Sequence, residues 1–292
     1  MPSTRDIRRR IKSVKGTAQI TKAMQMVASS KMLKAQASAL NGRPFAQLAR
    51  VIMHHAALAG ASDFTHPLLE VREVRKRAVI LVGTDKGLCG GLNTNLFREA
   101  GKFDPATTQF IAVGRKAAQY LVRAKRKLVA EFTYHDVPTY SECQAIGQGA
   151  RSLFEKGEVD EVQILFTRFI NTLSQRPEVR PLLPMGDIHA TAKALSGGKE
   201  EVLDQGAGDY LWEPSPEEVL SGLLKFLLDF QIAQVLLEAK ASEHSARMVA
   251  MKNATDNAKQ LIKDLTLEYN KLRQSNITKE LLEITSATAA LG

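Results

Sequence analysis

Cysteine is scarce in this chain of 292 residues, with Cys89 and Cys143 its only two. They lie far apart and make no CxxC or other ligand spacing, which argues against a disulfide scaffold and for a reduced, intracellular compartment. HExxH is also missing, and the adjacent His54 and His55 would point apart on a helix, so no structural metal is expected. Aromatic residues are absent from positions 1–44, which weighs against a stacking surface for nucleic acid on that basic stretch. Long apolar runs are lacking: even Leu220 to Leu237 is broken by Lys225, Asp229, Gln231 and Gln234, short of the roughly 20 residues that cross a bilayer. Proline does not occur after Pro216, and Gly222 is the one glycine between there and Gly292.

That last absence defines the largest element. From Leu220, Leu223, Leu227, Phe230 and Gln234, through Leu237, Ala241, His244, Met248, Met251, Thr255 and Ala258, to Ile262, Leu265, Tyr269 and Leu272, the spacing alternates between three and four. This is the seam of a coiled coil. At 1.5 Å per residue the helix would be about 110 Å long, beyond the span of a small domain. Residues 4 to about 40 predict a second long helix, capped by Ser3 or Thr4, with Asp6 where the helix dipole favours negative charge. Ile7, Ile11, Val14, Ala18 and Thr21 form its seam, and Arg8, Arg9, Lys12, Lys15, Lys22, Lys31 and Lys34 its basic face. The start is Arg-rich like a transit peptide, but the apolar pattern continues without a processing break, so it is read as helix. Asn41 to Pro44 predicts a break, with helical pattern resuming to about Leu58.

Between the helices the pattern changes. Arg77 to Gly83 and Gln109 to Gly114 read as buried strands, each followed by a helix, Leu92 to Ala100 and Arg115 to Lys125. Glu142 to Glu155 reads as a helix, Val159 to Ile170 as a strand, and residues 175–184 as a further strand, possible as an antiparallel edge because prolines bracket it. The fold class is therefore α/β plus a long coiled coil, an antiparallel pair of terminal helices with an inserted Rossmann-like, mostly parallel domain. The expected divisions are 1–60, 75–212 and 213–292, with 185–216 mainly loop. Pairing the helices outward from residues 58 and 214 sets residue 1 opposite roughly residue 271. Ile277, Leu281, Leu282, Ile284 and Leu291 then lack a partner in the chain, so another protein is expected around the tip.

Gly83 to Asn93 sits where phosphate-binding loops occur, between a strand and a helix, yet has neither a GK[ST] ending nor GxGxxG. A structural or docking loop is the favoured reading, and no cofactor is expected. Cys89 within it lacks a paired base, and His244 beside Glu243 reads as a polar register residue or a partner contact. The net charge of +9 suits an acidic partner of unspecified class. Two other readings stay open: a nucleotide-binding α/β protein whose helical arms dimerise it, and a basic coiled-coil binder of nucleic acid.

Three stretches narrow the choice: Ile11 to Lys31 (IKSVKGTAQITKAMQMVASSK), Thr84 to Asn93 (TDKGLCGGLN), and Ser242 to Ala258 (SEHSARMVAMKNATDNA) continuing through Asn270 to Ile284 (NKLRQSNITKELLEI). In this order and over the whole length, the chain resembles the gamma subunit of the F-type ATP synthase. Gly16, where that family usually has Asn or Ser, and Ala287, where it usually has Gly, depart from the pattern. The resemblance implies a central-stalk rotor shaft without a catalytic site of its own. Its implied partners are the alpha and beta subunits of the catalytic ring, the epsilon subunit and the membrane c ring, with no nucleic acid and with membrane association only through the complex. It further implies that Lys22, Met24, Lys31, Arg247 and Lys252 face the beta subunits. Asn270, Arg273, Gln274, Thr278 and Glu280 would be upper-shaft contacts, and Tyr210, Trp212 and Glu213 would meet the c ring and epsilon. The chloroplast form's inserted cysteine pair has no counterpart here. The expected location is the cytoplasmic side of a bacterial inner membrane.

Overall fold

Helix α1 (Thr4–Asn41) begins at Ser3, whose hydroxyl accepts from the Asp6 amide while the Asp6 carboxylate accepts from the Ser3 amide and hydroxyl. This reciprocal arrangement satisfies donors that the first helical turn leaves open. The structure, a computed structural model, describes residues 3–42, positions 44, 45, 48, 49, 51 and 52, and residues 65–186 and 213–291. Its contacts form two units: Met1–Ser29 with Arg247–Gly292, and Ser30–Ala246.

In the first unit α1 meets the distal part of the C-terminal helix. Ile7 and Ala28 are buried on one side, and Met251, Ala258 and Leu265 on the other. At the centre of this apolar seam the hydroxyls of Thr21 and Thr255 lie 2.7 Å apart, both buried. Each also reaches a carbonyl of its own helix, Ala18 for Thr21 and Met251 for Thr255. One residue pair thus fixes the register as a polar seam position does in a coiled coil. Replacing Thr255 alone by Val is expected to cost about 1 kcal/mol, because it sets a methyl group against the buried Thr21 oxygen and removes the contact between the helices, whereas replacing both threonines by Val should be close to neutral. Urea unfolding of the two variants checks this; equal losses would show that the pair is not coupled.

The second unit is built on a five-stranded sheet of order β3-β2-β1-β4-β5. Its strands are β1 (Arg77–Val82), β2 (Thr108–Val113), β3 (Lys127–Phe132), β4 (Glu161–Phe169) and β5 (Gln175–Leu183). The first four are parallel, and β5 joins the β4 edge antiparallel. Three helices follow the parallel strands: α2 (Leu92–Ala100), α3 (Arg115–Arg123) and α4 (Tyr140–Glu155), the last opened by a capping box between Thr139 and Glu142. Alternation along β1 serves two layers. Val79 and Leu81 pack with Leu96 of α2 and Leu121 of α3, whereas Ile80 and Val82 face Ile146 and Phe154 of α4. Gly114, at φ 100°, lets the end of β2 pass against the Gly83 carbonyl, where a Cβ would collide.

Helix α5 (Pro216–Leu291) starts behind Ser215, whose hydroxyl accepts from the Glu218 amide. Proline at the first helical position and two glutamates in the first turn complete the start signal. The sequence pattern assigns Leu220 to Leu237 to the coiled-coil seam. In the structure Leu220, Leu224, Leu227, Leu228, Ile232, Val235 and Leu236 instead complete the core against α4 and the sheet. Within Glu217–Ser286 this helix has a window apolar enough by length and composition to span a membrane, and those leucines explain why: they are core residues with 0% exposure. The strand β3 is absent from the sequence reading. Its burial alternates only between exposed and half-buried, so it carries little hydrophobic signal at the sheet edge.

Candidate functional site

Open α/β sheets offer a crevice beyond the carboxyl ends of their parallel strands, where ligands usually bind. Here α5 runs into that position. Lys240, buried to 3% exposure, sets its ammonium 3.2 Å from Glu243, 3.8 Å from Asp85 after β1 and 4.3 Å from the Tyr134 ring centre after β3. His244 Nε2 lies 3.0 Å from Asp136 Oδ1. The Ser245 hydroxyl donates to the Thr172 carbonyl beyond β4 at 2.8 Å. Across the same carboxylate, Lys31 of α1 reaches Asp136 Oδ2 at 2.6 Å.

The glycine-rich loop behind β1 turns its polar groups onto the chain. The Thr84 hydroxyl donates to the Lys86 carbonyl and accepts from the Asn93 amide, and Asp85 accepts from the Arg115 amide. Cys89 is buried with the Asn93 amide 3.6 Å from its sulfur. The loop presents Leu88, 61% exposed and held at φ 64°, a backbone state that a branched side chain rarely takes. This arrangement suits docking of a helix rather than cradling of a phosphate.

Electrostatics follow from this crowding. Burial, then the charges of Glu243, Asp85 and Asp136, raise the Tyr134 phenol well above its ordinary range. Burial pushes the Asp136 carboxyl upward, but the Lys31 hydrogen bond and the charges of His244, Lys31 and Lys240 outweigh it and hold the group at about 2. An unfolded aspartate titrates near ~3.9, so the stabilisation from Asp136 is complete above that value and is lost as pH falls through the folded one. Asp136→Asn should therefore be less stable than the parent at neutral pH. The gap should shrink below about pH 4 and close by about pH 2. Urea titrations across pH check it; a gap constant with pH would show that the charge is not its source.

The residues expected from sequence to meet partners fall into three places. Lys22 and Lys252 are exposed, Met24 half-buried and Arg247 buried, all in the unit that holds the Thr21–Thr255 pair. Counting outward from that pair, Thr4 falls opposite Leu272. Beyond it Arg273, Gln274, Thr278 and Glu280 are exposed, as is Asn270 just before, and so are Ile277, Leu281, Leu282 and Ile284. Glu213 is exposed, whereas Tyr210 and Trp212 lie outside the described residues. Lys31 stands apart, its ammonium engaged by Asp136 within the chain. Sequence reasoning missed Asp136, Lys240 and Tyr134, because nothing in local periodicity marks a loop carboxylate that meets a helix about a hundred residues away. The sequence marked Asp85 only as part of the glycine-rich stretch, His244 beside Glu243 only as a register residue or partner contact, and Lys31 only as part of the basic face.

A family profile described as ATP synthase matches residues 3–291. The ATP synthase gamma chain of Methylacidiphilum infernorum is 46% identical over 299 aligned residues, covering 100% of both chains. That of Opitutus terrae is 46% identical over 294, covering 99% of each. The chain belongs to the ATP synthase gamma family. As a gamma chain it is the central-stalk rotor component of the synthase and a non-catalytic subunit, in keeping with a crevice filled by its own helix. Its fold is shared by a chain of Euglena gracilis mitochondrial ATP synthase in rotational state 3, with TM-score 0.67, 19% identity and coverage of 99% and 94%. The central stalk and c-ring structure of the Tetrahymena thermophila mitochondrial enzyme gives TM-score 0.58, 23% identity and coverage of 80% and 99%. The gamma chain is membrane-associated through its complex.

Proposed function

We propose that this gamma chain turns inside a ring of alternating alpha and beta subunits on the cytoplasmic side of a bacterial inner membrane. Proton flow rotates the c ring, the α/β domain follows it, and the helical pair carries the rotation to the beta sites, which do the chemistry. Residues 1–60 and 213–292 are the shaft and residues 75–212 the foot. Lys22, Met24, Arg247 and Lys252 face the moving levers of beta, whereas Lys31, on the same helix, is held by Asp136 of the α/β domain. Asn270, Arg273, Gln274, Thr278 and Glu280 bear on the upper ring, and Tyr210, Trp212 and Glu213 meet the c ring and epsilon.

The observation that carries this reading is the distal end of α5. Ile277, Leu281, Leu282 and Ile284 are 49–61% exposed past the point where α1 runs out, an apolar surface that a soluble helix does not keep bare. An apolar sleeve supplied by other subunits fits it. The exposed Lys22 and Lys252 suit acidic levers, where opposite charge steers contact. Purifying the tagged chain from its own cells tests the proposal. Alpha and beta subunits should be recovered with it; recovery of the chain alone, or micromolar ATP binding by the isolated chain, would sink it in favour of a nucleotide-binding protein.

A further inference from the structure

A rotor needs a joint where the driven domain grips its shaft, and the second unit contains one made from a single side chain. Asp136 lies in the loop after β3, a part of the α/β domain continuous with neither long helix. Its Oδ2 receives Lys31 of α1 at 2.6 Å and its Oδ1 receives His244 of α5 at 3.0 Å. Lys240, one turn before His244, stands 4.0 Å from Oδ1 and is itself held by Glu243 and Asp85. Lys31 lies in the first turn of α1 inside this unit and His244 in the last turn of α5 inside it, the unit's bounds being Ser30 and Ala246.

The two kinds of contact here resist different displacements. The leucines of α5 from Leu220 to Leu236 are sealed in the core, and apolar burial opposes separation without fixing direction. Charge-assisted bonds to opposite oxygens of one carboxylate are directional, and they oppose sliding or twisting of either helix against the domain. We propose that Asp136 is a positioning residue for coupling, the clamp through which the α/β domain passes torque to both shaft helices at once. This rests on the rotor reading, and Asp136 acts through Lys31 and His244 without touching nucleotide.

The test uses the assembled, membrane-bound complex carrying Asp136→Ala, Asp136→Asn, His244→Ala or His244→Gln. For Asp136→Ala, amide exchange over residues 240–246 should accelerate by about tenfold, the loss of a bond of ~1.4 kcal/mol. Protons pumped per ATP hydrolysed should fall to less than half of the parent ratio, while the detached catalytic sector hydrolyses ATP as before. His244→Gln, whose side-chain amide can still donate to Oδ1, should couple like the parent, and His244→Ala should not. An unchanged pumping ratio in Asp136→Ala would overturn the clamp, as would parallel loss of hydrolysis and pumping. Should Asp136→Ala fail to assemble, the nearly isosteric Asp136→Asn and the His244 pair decide by the same ratio. Failure of the parent chain to assemble with alpha and beta would instead strike the rotor reading itself.

Discussion

A chain cut after Glu280 folds its α/β domain as before but assembles about a hundredfold less tightly with the catalytic ring. The truncation removes Leu281, Leu282 and Ile284, exposed in the isolated chain, together with Leu291. Fully burying each such side chain contributes ~1.5–3 kcal/mol. Ordering and desolvation on association offset much of that gain, and a remainder of ~3 kcal/mol corresponds to the hundredfold weakening. The foot should not notice, because the core it shares with the start of α5 ends at Ala239, well before the cut. Sedimentation of reconstituted complexes measures assembly, and urea unfolding of the cut chain measures the foot. A cut chain whose foot loses its cooperative transition, or one that assembles with full affinity, would contradict the division of α5 into a core segment and a bearing surface.

Asp229→Ala destabilises the α/β domain by about 3–5 kcal/mol, the usual consequence of stranding a buried charge. Asp229 on α5 and Arg151 on α4 meet at 2.7 Å with side chains 3% and 11% exposed. The guanidinium also donates to the Lys225 carbonyl at 3.2 Å. Gly147 leaves the room: a Cβ there would land on the Asp229 carboxylate. Burial pushes the Asp229 carboxyl above its ordinary range, and Arg151 pulls it back only partly. The ionised pair is thus a poor source of net stability even though breaking it is costly. The paired change Arg151→Met with Asp229→Leu should accordingly return most of the loss. Guanidinium unfolding of the single and paired variants decides; a single variant within about 1 kcal/mol of the parent would mean that water reaches Arg151 freely.

The two interactions differ in how visible they are in the sequence. The distal seam was legible because Ile7 and Thr21 on one helix, and Met251, Thr255 and Leu265 on the other, repeat at helical spacing. The register inferred by counting from the domain differs by only a few residues from that set by Thr21 and Thr255. The lower seam holds only in part, with Phe230 meeting Phe45 of the N-terminal segment, because a leucine-rich stripe looks the same whether a second helix or a sheet covers it. Leu220 to Leu236 found a sheet and α4. The edge strand β3 went unread, since half-exposed residues give weak alternation.

By itself the sequence determined what depends on near neighbours along the chain: two long helices, strands alternating with helices, a cap at Ser3 or Thr4, and an apolar tip longer than its partner. Only the tertiary structure decided which face of α5 enters the domain core. It also decided that the crevice is filled by Lys240 to Ser245, and that Asp136 joins residues 105 and 108 positions away. Periodicity records which side of an element seeks burial. It carries no information about which distant charge will stand opposite, because that pairing exists only once the packed core has brought the loops of the sheet to the helices.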